Sequence, residues 1–276
     1  MSALDLFFRR RLRKVLPRLA SLAPAGRRAG EVRVLMYHRV AEIPGDRLAV
    51  VPGEFARQMD LLLQSGRPVK TLSAAFAGGG PDRERREPAV VLTFDDGYRD
   101  FYDNVFPILR RRSLPATVFV VPGFIEGRVE LDRYRGRGEI SRSLSWEMLA
   151  EMGKGRVEVG SHSLSHRELT GLDRAEAETE IVESAAVIER KLGTRPEWFA
   201  YPRGKADSVL AGLVRAAGYR GAVTVRPGVN RPDGDLFLLR RTEISGDDDR
   251  EDFLLKLRGG FDLPHRLWQR MAGKRL

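Results

Sequence analysis

The chain has 276 residues, of which 42% are hydrophobic, enough for one large α/β domain with a substantial core. It has no cysteine, which excludes disulfides and thiolate metal sites and leaves His, Asp and Glu to bind any metal. The net charge of +10 is concentrated at the ends, with +7 in residues 1–30 and +4 in residues 263–276, so the remainder is near neutral at −1. This distribution argues against a nucleic-acid-binding groove on the domain.

The first 30 residues are predicted to form a basic extension outside the folded domain. Arginines interrupt the apolar residues between Leu4 and Leu19, so we expect no signal peptide, and no apolar run predicts a transmembrane helix. The segment is typical of a basic amphipathic helix, and residues 263–271 have a similar character. We expect peripheral contact with an anionic membrane at its cytoplasmic face, the alternative being solvated tails or helices packed on the domain. The predicted organisation is an extension over 1–30, a domain over 31–260 and a basic tail over 261–276.

Strand-like and helix-like segments alternate some six or seven times after the extension, as judged by apolar runs and by apolar residues at helical spacing. Predicted strands cover residues 32–37, 89–94, 116–121, 157–161, 198–201, 219–225 and 237–244. Predicted helices cover residues 53–66, 100–112, 146–152, 173–192, 206–217 and 249–257, and long loops cover residues 77–88 and 127–142. Asp173 is the predicted N-cap of the longest helix, and Gly193 stands just past its end. This alternation predicts a mostly parallel sheet, closed as a barrel or open and doubly wound.

Two adjacent acids, Asp95 and Asp96, follow the second predicted strand. An uncompensated charge beside a buried strand is costly, and a bound divalent cation would offset that cost. The cation would also lower the pKa of a water molecule, and the neighbouring carboxylate could then accept its proton. We therefore assign Asp96 as a metal ligand and Asp95 as the catalytic base, the ordinary alternative being a turn or helix cap.

Two of the four histidines, His162 and His166, are four residues apart after the strand over 157–161. On a helical turn, side chains at this spacing share a face and lie about 5–6 Å apart. Together with Asp96 they would provide three ligands and leave a position for water, as metal-assisted hydrolysis requires. The alternative is a pair of histidines with ordinary surface or hydrogen-bonding roles.

Further candidates also stand at predicted strand ends. His38 follows the first strand and could protonate a leaving amine, or be a partly buried histidine bonded to the backbone. Either Arg240 or Arg241 could pair with Asp95 and orient it, and we assign this role to Arg241. In the turn formed by Tyr201, Pro202, Arg203 and Gly204, the backbone N–H of Arg203 could stabilise an oxyanion. The alternative for this segment is an ordinary proline turn after a strand.

Three segments together resemble the polysaccharide deacetylase family, the NodB-homology domain of carbohydrate esterase family 4. They are Thr93–Tyr98 (TFDDGY), Ser161–His166 (SHSLSH) and the Tyr201–Gly204 turn (YPRG), and the resemblance covers most of residues 31–260. It implies a single α/β domain, a distorted (β/α)7-type barrel, that binds a divalent metal. Zinc is the first expectation, with cobalt, nickel or iron as alternatives. It further implies removal of N-acetyl groups from hexosamines in a glycan.

Carried onto this chain, the resemblance implies that Asp95 is the catalytic base and that the metal ligands are Asp96, His162 and His166. The proline turn, with Tyr201, Pro202 and Arg203, would supply the oxyanion amide and part of the sugar groove. Two departures from the family pattern bear on these roles. Arg203 stands where many members have tyrosine in an Arg-x-Pro-x-Tyr type motif, and residues 205–260 contain no histidine.

Because the family's usual C-terminal acid is missing, we assign the acid role to His38. Met36-Tyr37-His38 resembles the permuted branch that deacetylates exported poly-N-acetylglucosamine. The predicted function is metal-dependent N-deacetylation of a polysaccharide or lipid-linked glycan, with a metal-activated water as the nucleophile. Deformylation and O-deacetylation stay open. The alternatives are a non-haem iron site, which needs no adjacent base, and a non-catalytic glycan- or membrane-binding protein that kept the fold.

Overall fold

The computed structural model describes residues 29–77, 87–231 and 233–262. The predicted amphipathic segments at both ends, and most of the loop over 77–88, lie outside the described residues, so their predicted roles stay predictions. The helices in the described part are α1 Pro52–Gln64, α2 Leu72–Ala75, α3 Phe106–Arg111, α4 Pro122–Ile125, α5 Trp146–Gly153, α6 Arg174–Leu192, α7 Ser208–Ala216 and α8 Arg250–Arg258. Among the described residues, no helix combines the length and the apolar character needed to cross a membrane.

The strands form one main parallel sheet and a separate parallel pair. They are β1 Val32–Tyr37, β2 Arg39–Val40, β3 Ala49–Val50, β4 Val69–Lys70, β5 Ala89–Phe94, β6 Ala116–Val120, β7 Val157–Ser161, β8 Trp198–Ala200, β9 Gly221–Val223 and β10 Thr242–Glu243. The main sheet runs in the order β10-β1-β5-β6-β7-β8-β9, with β4 paired to the start of β5, while β2 pairs with β3. The predicted α/β fold, a distorted (β/α) barrel of seven strands in a single domain, is confirmed.

The two edges of the main sheet are linked through Leu239. Its N–H donates to Ala222 at 3.0 Å and its carbonyl accepts from Thr224 at 2.8 Å, which forms a parallel bridge with Val223. Three residues later the same segment becomes β10 and pairs with β1. The chain between 239 and 243 therefore joins the last strand of the path to the first.

The last two predicted strands are shorter than expected. The strand predicted over 219–225 is confined to β9, and the strand predicted over 237–244 is confined to β10. Residues Leu236–Leu238 instead form a 3₁₀ turn, in which the N–H of Phe237 donates to the side chain of Asp235. Apolar residues in a buried turn give the same sequence signal as a buried strand, which explains the error.

The long helix over 174–192 has the ends predicted for it. Asp173 accepts from the N–H of Glu176, and the Glu176 side chain bonds back to Asp173 in a capping box. Gly193 ends the helix in the left-handed conformation, with φ of 72°. The helix predicted over 100–112 instead begins as a π turn over Phe101–Val105 before α3. Pro107 lacks an N–H for the regular helical bond, consistent with this distortion.

Close packing under the carboxyl ends of the strands fixes the position of the site. Gly160 lies two residues before His162, and a side-chain carbon there would stand 2.5 Å from the Phe119 ring. β7 can therefore approach its neighbours only because this residue is glycine. The rings of Tyr37 and Phe94 stack at 5.1 Å where β1 and β5 end, and both residues are buried. The residues that follow these strands are therefore attached to a well-packed part of the core.

Candidate metal centre and active site

Three predicted ligands come together where parallel strands end. Oδ1 of Asp96 lies 3.6 Å from Nε2 of His162 and 3.5 Å from Nε2 of His166. One ligand atom from each of the three residues lies within 4.8 Å of the others, so a single ion could contact all three. Asp96 is held in the left-handed conformation, with φ of 75°, which aspartate tolerates better than most residues. The donor set of two imidazoles and one carboxylate fits a zinc-type divalent ion.

His162 is prepared as a neutral ligand. Its Nδ1–H donates to the carbonyl of Ala200 at 2.8 Å, which leaves Nε2 with the lone pair that faces Asp96. Burial lowers the pKa of His162 to about 4, against the opposing influence of Asp95 and Asp96. An imidazole must be unprotonated to bind a metal, and burial favours that form. The hydrogen bond to Ala200 selects the tautomer in which Nε2 is free to bind.

His162 and His166 do not share a helical turn. Both residues lie in a loop after β7, and Ser163 and His166 each have a left-handed backbone with φ of 61°. The loop still brings the two rings together, with centroids 4.8 Å apart and nearly perpendicular planes. The N–H of His166 donates to Oγ of Ser163 at 2.9 Å, and this bond stabilises the loop. Positive φ at two residues excludes a regular helix here.

Glu180, which the sequence analysis missed, holds this loop from α6. Its buried carboxylate accepts from the N–H of Ser165 at 2.9 Å and also from the Ser165 hydroxyl. The N–H of Leu164 donates to the Glu180 carbonyl at 3.0 Å. Glu180 stands on the buried face of the helix next to Ile181, and a charged residue at such a position was the available signal.

Asp95 lies beside the triad and is paired with Arg241. The two guanidinium nitrogens of Arg241 donate to the two carboxylate oxygens at 2.6 and 2.7 Å, and both side chains are almost fully buried. Nε of Arg241 donates to the carbonyl of Thr224 at 2.9 Å, which fixes the guanidinium plane. Burial alone would raise the pKa of Asp95, but the charge and the hydrogen bonds of Arg241 lower it below its usual range. Asp95 is therefore an ionised carboxylate with a fixed orientation.

His38 stands at the end of β1 and is partly buried. A positive charge on His38 would lower the pKa of Asp95, which places the two side chains within electrostatic reach of each other. Within the described part of the chain, Nδ1 of His38 is buried and has no hydrogen-bond partner. The alternative of a histidine bonded to the backbone through this atom is therefore not what the structure shows.

The turn from Tyr201 to Gly204 divides into a buried and an exposed part. Tyr201 is fully buried and its hydroxyl donates to the carbonyl of Phe237 at 3.0 Å, and Pro202 is also buried. Both side chains therefore pack in the core, and the predicted oxyanion and substrate roles of the turn stay predictions. Arg203 alone projects to the surface, from a left-handed backbone with φ of 58°. Gly204 allows the turn, since an added Cβ would lie 2.4 Å from Val225.

A cluster of aromatic side chains around Arg39, also missed from the sequence, fixes the loop over residues 127–142, which we call the rim segment. The buried Arg39 guanidinium lies 4.0 Å from the Tyr98 ring and 4.5 Å from the Tyr134 ring and pairs with Asp100 at 2.9 Å. The Tyr134 hydroxyl donates to Asp46 at 2.5 Å. The rim segment is thereby attached to the turn that carries the two acids.

Comparison with known protein sequences identifies the family. The sequence profile described as polysaccharide deacetylase matches residues 82–222, so the chain belongs to the polysaccharide deacetylase family. The YxkH protein of Bacillus subtilis (strain 168) is 27% identical over 212 residues, which cover 77% of this chain and 71% of YxkH. The poly-β-1,6-N-acetyl-D-glucosamine N-deacetylase of Escherichia coli (strain K12) is 27% identical over 230 residues, which cover 71% of this chain but only 34% of that enzyme.

Solved structures show the same architecture. IcaB from Ammonifex degensii is 28% identical, with a TM-score of 0.69, and the match covers 84% of this chain and 97% of that one. The deacetylase PplD of Streptococcus pyogenes has a TM-score of 0.72 and covers 82% of this chain, and at 23% identity it supports the fold alone. The protein is thus an enzyme, a hydrolase of the polysaccharide deacetylase family.

Proposed function

We propose that the protein removes N-acetyl groups from hexosamine residues of a glycan, with Asp96, His162 and His166 holding a divalent ion, zinc first. The observation that carries this proposal is the ionised, oriented carboxylate of Asp95 directly beside three side chains that fit one metal. A non-haem iron site for oxygen chemistry does not require a second carboxylate as a base. When bound, the ion would polarise the amide carbonyl and lower the pKa of a water molecule.

In this proposal each of this chain's own groups moves or stabilises charge at a defined atom. Asp95 accepts the proton of the attacking water on a carboxylate oxygen, and Arg241 keeps that carboxylate in position. His38 donates a proton to the leaving amine nitrogen, and the backbone N–H of Arg203 binds the developing oxyanion. A histidine in the first strand is the feature on which the likeness to the poly-N-acetylglucosamine branch depends.

The experiment is acetate release from a chitooligomer, a β-1,6-linked N-acetylglucosamine oligomer and a lipid-linked N-acetyl sugar, with and without chelator. Asp95→Asn should lower kcat by at least about a hundredfold, because a positioned base contributes about that much or more. Asp103→Asn, which removes a half-exposed carboxylate paired with Arg99, is the matched control and should retain wild-type rates. Release of formate from N-formyl substrates would indicate a deformylase. Release of acetate from O-acetyl substrates only would indicate an O-deacetylase. Metal binding without any turnover would favour a binding role.

We also propose that the basic ends, residues 1–30 and 261–276, bring the enzyme to the cytoplasmic face of an anionic membrane. The support is their charge and apolar spacing in the sequence. Flotation with phosphatidylglycerol vesicles should capture the full chain, and release at high salt is expected because the attraction is electrostatic. Equal recovery with neutral vesicles would contradict this proposal.

A further inference from the structure

A cleft of about 580 Å³ opens beside the metal triad, with His166 in its wall. It lies between the rim segment, the loop after β7 and the Tyr201–Gly204 turn. Four arginines line it: Arg128, Arg135, Arg167 and Arg203. We infer that this cleft binds an anionic group, a phosphate or a carboxylate, on the substrate that presents its N-acetyl group to the triad, and that Arg203 is its main ligand. This inference rests on the proposed function and specifies the class of substrate.

Arg203 differs from the other three arginines in how its guanidinium is paired. Arg128, Arg135 and Arg167 each have a carboxylate oxygen within 3.0 Å. The nearest carboxylate oxygens to Arg203 belong to Asp132 at 3.8 Å and Glu168 at 4.0 Å, both beyond hydrogen-bond distance. Its side chain is 58% exposed. The carboxylates of Asp132 and Glu168 therefore attract the guanidinium without forming hydrogen bonds to it. Its N–H groups stay available to an anionic oxygen of a ligand.

The two neighbouring acids are themselves paired, which reduces their repulsion of an anion. Asp132 accepts from Arg135 at 2.8 Å. Glu168 accepts from Lys205 at 2.5 Å. Arginine binds phosphate and carboxylate with two parallel hydrogen bonds, so a single available guanidinium is sufficient to select an oxyanion over a neutral group.

The rest of the lining offers little to a neutral sugar polymer. Among the described residues that line the cleft, none is a tryptophan, tyrosine or phenylalanine, and the apolar ones are Val129 and Leu131. A neutral sugar ring can lay its apolar face on a flat aromatic side chain, which buries a large area. The cleft has four guanidinium groups against the carboxylates of Glu130, Asp132 and Glu168, and its lining has no such surface, so it favours recognition by charge.

The position of Arg203 is set by its backbone and not by packing of its side chain. Pro202 and Gly204 on either side are buried, and Arg203 itself has φ of 58°. A change to another unbranched residue keeps the same backbone cost, because that cost arises at Cβ. Arg203→Gln is therefore expected to fold like the wild type while it loses both the charge and the two-pronged donor.

The experiment compares N-acetylglucosamine, N-acetylglucosamine 1-phosphate and a glucuronate-linked N-acetylglucosamine disaccharide. Acetate release gives kcat/KM for each, and calorimetry of the chelator-treated protein gives binding without turnover. The wild type should prefer one or both anionic probes by at least about tenfold, the effect of one charged hydrogen bond. The phosphate and uronate arms identify which anion the cleft accepts.

In Arg203→Gln the preference for the anionic probe should fall about tenfold, mainly through KM, and Arg203→Lys should keep part of it. Arg231→Gln is the matched control, since Arg231 is 56% exposed and its nearest carboxylate, Glu31, is 3.8 Å away. Equal binding of neutral and anionic probes, or a preference that survives in Arg203→Gln, would overturn the inference. Absence of acetate release together with Arg203-dependent binding would sink the proposed function and leave the anion site standing.

Discussion

Four non-glycine residues at the site have a left-handed backbone: Asp96, Ser163, His166 and Arg203. Each such residue costs of order 1–2 kcal/mol relative to a regular conformation. Glycine would remove the cost, but at Asp96 and His166 it would also remove a side chain of the candidate metal site. The site therefore keeps strained residues where their side chains are needed, and hydrogen bonds such as that from His166 to Ser163 hold them.

The pairing of Asp95 with Arg241 has a testable consequence for pH dependence. Because the pKa of Asp95 is lowered in the folded protein, its stabilising contribution is complete above the unfolded pKa of about 4 and is lost as the pH falls towards the folded value. Arg241→Met removes the stabilising charge, so the pKa of Asp95 rises and the acidic limb of the pH–rate profile should move to higher pH. The unpaired buried carboxylate should cost about 3–5 kcal/mol in urea unfolding.

The double variant Asp95→Asn/Arg241→Met is the control for that prediction. It leaves no buried charge, so its stability should be higher than that of Arg241→Met although it carries one more substitution. If the loss of stability in the double variant equals the sum of the losses in Asp95→Asn and Arg241→Met, the ion pair is not the source of the effect.

At the scale of elements, α6 acts on the metal site through the loop after β7. Glu180→Gln weakens the bonds to Ser165 and loosens the segment that presents His166. Zinc affinity measured by calorimetry should fall by about 10–100-fold, as for other residues that support a metal ligand. Glu178→Gln changes the same helix at an exposed position and should leave the affinity unaltered. An unchanged zinc affinity in Glu180→Gln would show that the loop holds its shape without this contact.

The sequence predicted elements better than it predicted how loops place side chains. Apolar runs located β1, β5, β6 and β7, and capping residues located α6, because these signals are local. The spacing of His162 and His166 indicated that the two rings lie close together, but it gave no sign of the left-handed loop that carries them. Contacts with residues distant in sequence, such as Glu180, set the shape of that loop. The burial of Tyr201 likewise depends on packing against residues far along the chain.

At the scale of the whole molecule, metal binding should stabilise the fold. The three ligands come from loops about seventy residues apart in sequence, so the unfolded chain offers no comparable site. At a free zinc concentration of about 100 times Kd the stabilisation is about 2.7 kcal/mol, which corresponds to a rise of several degrees in Tm. Differential scanning fluorimetry with zinc and with chelator measures it. His166→Asn should lose most of the rise, and a wild-type Tm indifferent to zinc would argue against the metal site.

The bridge at Leu239 links the two edges of the sheet, and the residue two positions later, Arg241, pairs with Asp95. Asp95 and Arg241 are separated by 146 residues, so a ribosome synthesises most of the domain before the buried acid can receive its counter-ion. A nascent chain that has not yet reached Leu239 has an open sheet edge and an unpaired carboxylate at the same time. Closure of the sheet and pairing of Asp95 both depend on residues 239–241, so a chain stalled before Leu239 can form neither contact.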